Sequence, residues 1–138
     1  MSKKKVEWLD RQLLRTSNCF CLCTTEEQFH AALKDIDIPV TQYPTFLDGD
    51  NADATVWTFA AHTAANGKDK IEEVMIVCVS VDNASPIEIA AILVHEAVHI
   101  WQHTAEAIGE SNPSKEMEAY AIQSISTQLF SAYARSLI

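Results

Sequence analysis

A chain of 138 residues with 48% hydrophobic and 8% aromatic side chains has the size and composition of one globular domain, and is too short for a two-domain protease. Its net charge of −9 argues against a nucleic-acid surface, which needs concentrated Lys and Arg. Beyond residue 70 only Lys115 and Arg135 are basic, so the second half carries a negative field that favours cations and basic substrates, although plain solubility is the simpler role of such charge.

Lys3, Lys4 and Lys5 resemble the start of a signal peptide, but Glu7, Asp10 and Arg11 interrupt any apolar stretch behind them. No run is long enough to span a membrane, and the expected location is the cytoplasm. Val6, Trp8, Leu9, Leu13 and Leu14 suggest an amphipathic helix from about Lys5 to Arg15. A strand over about Asn18 to Cys23 follows, in which Cys19, Cys21 and Cys23 alternate with Phe20 and Leu22 and so share one face. That spacing is not the Cys-x-x-Cys of zinc ribbons, and with Cys78 these residues read as free apolar core thiols.

Thr24-Thr25-Glu26-Glu27-Gln28 supplies a cap for a helix to about Lys34. Pro39 to Asp53, with two prolines and Gly49, reads as a loop. Thr55 to Ala61 is rich in strand formers, Asn66-Gly67 turns the chain, and Val74 to Val81 is nearly all apolar, which predicts two antiparallel strands.

Ser85-Pro86-Ile87-Glu88 then combines an N-cap serine, a proline at the first helical position and a capping-box glutamate. The helix it opens is almost uncharged to Trp101 apart from Glu88 and Glu96, so it is expected to be covered on most sides, with Gly109 as its stop and Pro113 before the next helix. Inside it lies His95-Glu96-Ala97-Val98-His99. Two histidines four apart on a helix project from one face and can share a divalent ion, while Glu96 stands beside them to handle protons. This is the HExxH arrangement of zinc-dependent hydrolases. The plainer alternative makes His95 and His99 neutral core histidines and turns Glu96 to solvent. His103 extends the stripe, but eight residues separate it from His95, a rise of about 12 Å, too far for one zinc. It suits the edge of a site or the surface.

A catalytic zinc takes three protein ligands and keeps one position open. The second long helical pattern, from Ser114 to about Arg135, opens with Glu116 and Glu118. Periodicity places Glu118 with Ile122, Ile125 and Leu129 and leaves Glu116 nearer Gln123 and Thr127, while an acid in the first turn of a helix is in any case favoured by the dipole.

Over residues 85 to about 125, the HExxH pentapeptide followed by Glu116-Met117-Glu118-Ala119 resembles the glutamate-type zincins, whose ligand glutamate comes from the helix after the motif. The resemblance implies that Glu116 is the third ligand with Glu118 as the alternative, and it sets Tyr120 where those families carry a supporting acid or amide. The run His-Glu-Ala-Val-His-Ile-Trp-Gln, with the Gly-Glu, Pro-Ser and Glu-Ala-Tyr that follow, is also similar to small uncharacterised zincin-like proteins of bacteriophages and prophages.

The expected fold is α+β, a small antiparallel or mixed sheet packed on the motif helix, in a single domain. The expected activity is zinc-dependent hydrolysis of a peptide or protein substrate, with Glu96 as general base. Zinc suits two imidazoles and a carboxylate, although manganese and nickel accept the same set. Tyr120, His103, His62 and Tyr43 are candidates for stabilising the transition state, and residues 55 to 62 are a candidate edge strand for aligning a peptide, by analogy alone. The rival expectation is a binding or regulatory module in which metal ties two helices together and Glu96 does no chemistry.

Overall fold

The computed structural model describes residues 5–10, 19–49, 52–65 and 68–138. In chain order its elements are β1 (Trp8–Asp10), β2 (Cys19–Cys23), α1 (Glu26–Asp35), β3 (Ala54–Ala65), β4 (Lys68–Val79), α2 (Pro86–Ala107) and α3 (Lys115–Ser136), with a 3-10 turn at Val40–Gln42. The fold is α+β. Its mixed four-stranded sheet has the order β1-β2-β4-β3: β2 lies parallel to β4, and the other two pairings are antiparallel.

Helices cover both faces of the sheet, and this explains the apolar run in β4, since a strand buried on both sides has no polar face. Met75, Val77 and Val79 join Phe20 and Leu22 in a core under α2 and α3. Val74, Ile76 and Cys78 point the other way, into a core with Cys21, Cys23 and the α1 residues Phe29, Ala32 and Leu33. Cys21, Cys23 and Cys78 are buried free thiols, and burial raises the Cys21 and Cys78 pKa values. Thiols held neutral in this way are inert packing groups.

The N-terminal helix is corrected over its described part: Trp8–Asp10 is a strand. Leu9 pairs with Phe20 and enters the core beneath α2 and α3, whereas Val6 and Trp8 pack on the opposite side. That alternation has the period of a strand, and the edge offered by β2 overrides helix propensity. The remainder of the expected helix, with Leu13 and Leu14, lies outside the described residues. The hairpin is longer than expected, with Ala54 paired to Val79 at one end and Ala65 to Lys68 at the other. The expected turn residues Asn66 and Gly67 lie outside the described residues.

α2 begins as its capping box dictates. Ser85 Oγ accepts the Glu88 N–H at 3.2 Å, and Glu88 Oε2 accepts the Ser85 N–H at 3.3 Å. It ends in a Schellman motif: Gly109 has a φ of 78°, its N–H donates to the Glu106 carbonyl at 3.1 Å, and the Glu110 N–H donates to the Ala105 carbonyl at 2.8 Å. Ile89, Leu93, Ala97, Ile100, Trp101 and Ala105 face the core. The expectation of a helix covered on most sides is corrected, because Ile87 is 82% and Val94 40% exposed. α2 and α3 form the outer layer, and no further layer of the described residues covers that side. No helix among the described residues is long and apolar enough to cross a membrane.

Candidate metal centre

The exposed side of α2 carries the histidine pair. Four residues on a helix advance slightly more than one turn, so His95 and His99 stack along the axis. Their Nε2 atoms lie 3.1 Å apart, and their rings meet edge to face with centroids 4.7 Å apart. Gln102, the next residue on the stripe, places its Oε1 3.2 Å from His99 Nδ1. An amide oxygen only accepts, so Nδ1 carries the proton and His99 Nε2 keeps a free lone pair. With that tautomer, the hydrogen between the two Nε2 atoms comes from His95.

The arrangement suits a divalent ion on two counts. Two nitrogens bound tetrahedrally to one zinc at about 2.0–2.1 Å are about 3.3 Å apart, close to the spacing of the pair. A ligand histidine also needs its other nitrogen anchored to fix ring and tautomer, and Gln102 does this for His99. His95→Ala and His99→Ala are each expected to abolish stoichiometric zinc in elemental analysis, whereas equal zinc in both variants and the parent removes the pair from metal binding.

Glu96 points to a different side. It is 6% exposed, yet it lines the same cleft as the histidines. Burial raises its pKa, and the neighbouring His95 and His99 partly oppose that shift. A carboxylate with a raised pKa accepts a proton more readily than one in water, as a general base must. The cleft, about 540 Å³, runs between α2 and the β3 residues Ala54, Thr55, Val56 and Thr58. Its wall includes Asp48, whose N–H donates to Thr55 Oγ1 at 2.8 Å.

His103 also lines the cleft and is paired through Nε2 with Glu73 of β4. This agrees with a place at the edge of the site rather than on the ion of the pair. The acids of α3 are not brought to the histidines. Glu118 Oε2 accepts the Trp101 indole N–H at 3.0 Å, and Trp101, two residues past His99, projects about 200° around α2 from it. Glu116 is exposed in the first turn of α3. Among the described residues no three His, Cys, Asp or Glu side chains form a ligand group.

Tyr120 is 60% exposed on α3. Tyr43 packs against His30 of α1, with ring centroids 5.1 Å apart, on the opposite face of the sheet from α2. The side chain of His62 lies outside the described ones.

Gln102, Glu106, Asp48 and Glu73 were not singled out in the sequence. Gln102 was legible there, three residues after His99 on the same helical face. Glu106 continues that stripe. Asp48 reaches the cleft only through the loop before β3, and Glu73 reaches His103 only through the placement of β4, which no local pattern announces.

No family model matches the chain, and no curated protein or solved structure is significantly similar to it.

Proposed function

We propose that the chain is a zinc-dependent hydrolase acting on peptide bonds, with His95 and His99 as metal ligands and Glu96 as general base. The observation that carries this reading is the imidazole pair, 3.1 Å apart, with its tautomer set by Gln102, on one cleft with a buried glutamate. Zinc, when bound, activates water and polarises a carbonyl. Glu96 takes a proton at its carboxylate and returns it to the leaving amine. The low exposure of Glu96 limits its competing contact with bulk water. β3, which has no second neighbour among the described strands, offers a peptide backbone an edge beside the histidines.

The competing module, in which metal ties α2 to α3, has less support: both histidines come from α2, and the two helices already share a core and the Trp101–Glu118 bond. Removing metal is therefore expected to lower the melting temperature only through the binding energy at α2. Loss of the α2–α3 packing on chelation, read by near-ultraviolet circular dichroism at Trp101, would reinstate the module.

Glu116 stays the proposed third ligand, because Glu118 is engaged by Trp101. Reaching the pair requires the first turn of α3 to rearrange. Glu116→Gln should then weaken zinc by more than the 10–100-fold typical of an outer-shell partner, and Glu118→Gln by far less. Parental affinity in both variants takes α3 out of the metal centre.

The direct test exposes zinc-loaded parent to a broad peptide library and reads cleavage by mass spectrometry. Cleavage that disappears in His95→Ala supports the proposal, and an inert zinc-loaded parent overturns it.

A further inference from the structure

The cleft has a direction and a charge. α2 follows β4 after Val79, the register partner of Ala54, and returns past Glu73, the partner of Ala60, where His103 meets Glu73. Over this stretch α2 and β3 therefore run the same way, from residue 54 toward residue 60. A peptide lying on the outer edge of β3 would pass along the stripe of His95, His99 and Glu106.

Acids stand at both ends of that path. Asp48 is tied beside Thr55 at one end, Glu106 closes the other, and none of the residues lining the cleft is Lys or Arg. Between them Glu96, a residue only 6% exposed, lines the cleft, and no donor among the described residues bonds its carboxylate. An anionic peptide would meet three carboxylates there. A cationic one would leave each with a counter-charge in reach.

We infer, resting on the peptidase reading above, that the substrate is an extended cationic peptide: its backbone adds to the outer edge of β3, which no other described strand occupies, and a Lys or Arg side chain meets Glu106. Glu106 lies seven residues beyond His99, a rise of about 10.5 Å along the helix. At about 3.3 Å per residue of strand, that is about three residues of peptide from the histidine pair. Asp48 gives a second, weaker preference at the opposite end. Because Asp48 and Glu106 are exposed, each charge contributes selectivity of severalfold, and salt screens it.

The test uses the full chain carrying Glu96→Gln and loaded with zinc, so that peptides bind without being cut. Eight-residue peptides blocked at both ends carry one Lys at each position in turn, with norleucine as the uncharged control, and binding is read by fluorescence anisotropy. The expected result is a preference for Lys of about 3–10-fold at one position, abolished by Glu106→Gln, and a weaker one toward the opposite end, abolished by Asp48→Asn, both lost at 0.5 M salt.

Equal affinity for Lys and norleucine at every position overturns the proposal. So does a preference that survives Asp48→Asn with Glu106→Gln, and so does the absence of any binding. The outcomes for the two readings separate. Cleavage of uncharged peptides by the zinc-loaded parent, with no preference for Lys, keeps the peptidase and removes the cationic substrate. A preference for Lys that persists in metal-free His95→Ala, with no cleavage by the parent, keeps the cationic cleft and removes the peptidase.

Discussion

Glu96→Gln is expected to retain zinc and fold while lowering peptide cleavage by roughly 10²–10⁴, the usual cost of losing one positioned proton-transfer group. The same substitution should raise the stability of the metal-free protein at pH 8. Burial raises the Glu96 pKa, so the folded state holds this proton more tightly than the unfolded chain does. The associated stability is complete below the unfolded carboxyl range and is lost as pH rises through the folded value. Above that value the parent buries an ionised carboxylate and the glutamine variant does not. The difference in melting temperature should therefore be largest at pH 8 and shrink toward pH 4. A difference that does not change with pH would mean that the buried charge is not its cause. The two readouts are independent, because zinc-loaded turnover reports on proton transfer and metal-free melting reports on desolvation.

The parts of the fold that were legible in the sequence are those whose causes are local. Ser85, Pro86 and Glu88 start α2 through contacts within one turn, and Gly109 stops it by adopting a φ that other residues avoid. Ser114 caps α3 by accepting the Met117 N–H. Alternation within β2 sorted Phe20 and Leu22 from the cysteines, and the two cores receive them accordingly. The histidine pair is local in the same sense, since helical periodicity alone brings His95 and His99 together.

What was not legible depends on segments distant in the chain. β1 exists because Leu9 and Trp8 find an edge on β2, and the preference of a short segment cannot report which edge will be offered to it. The apolar content of α2 suggested cover on most sides, but composition counts residues without counting the layers available to bury them. Glu118 shows the same limit from the other direction. Periodicity grouped it with Ile122, Ile125 and Leu129, but it is an exposed residue of α3, and its carboxylate reaches the Trp101 flank of α2 and not the flank that carries the histidines.

Trp101 therefore decides which flank of α2 stays open, and its loss should be among the most destabilising single changes in the protein. It is 2% exposed and belongs to the core that also holds Ala97 and Ala105 of α2 and Ala121 and Ile125 of α3. Trp101→Ala is expected to cost about 3–5 kcal/mol, the range for emptying an aromatic site in a core. That is a large share of the roughly 5–15 kcal/mol that holds a domain folded. Trp101→Phe fills most of the volume and removes only the N–H, so urea titration should show about 0.5–1.5 kcal/mol. If the indole bond to Glu118 accounts for that cost, Glu118→Ala placed on top of Trp101→Phe should add much less than it costs alone. Full additivity would show that the bond contributes nothing. Zinc stoichiometry in Trp101→Phe should match the parent, because His95, His99 and Gln102 face the other way. Loss of zinc from this variant would mean that the indole bond sets the rotation of α2, and with it the direction in which the two histidines point.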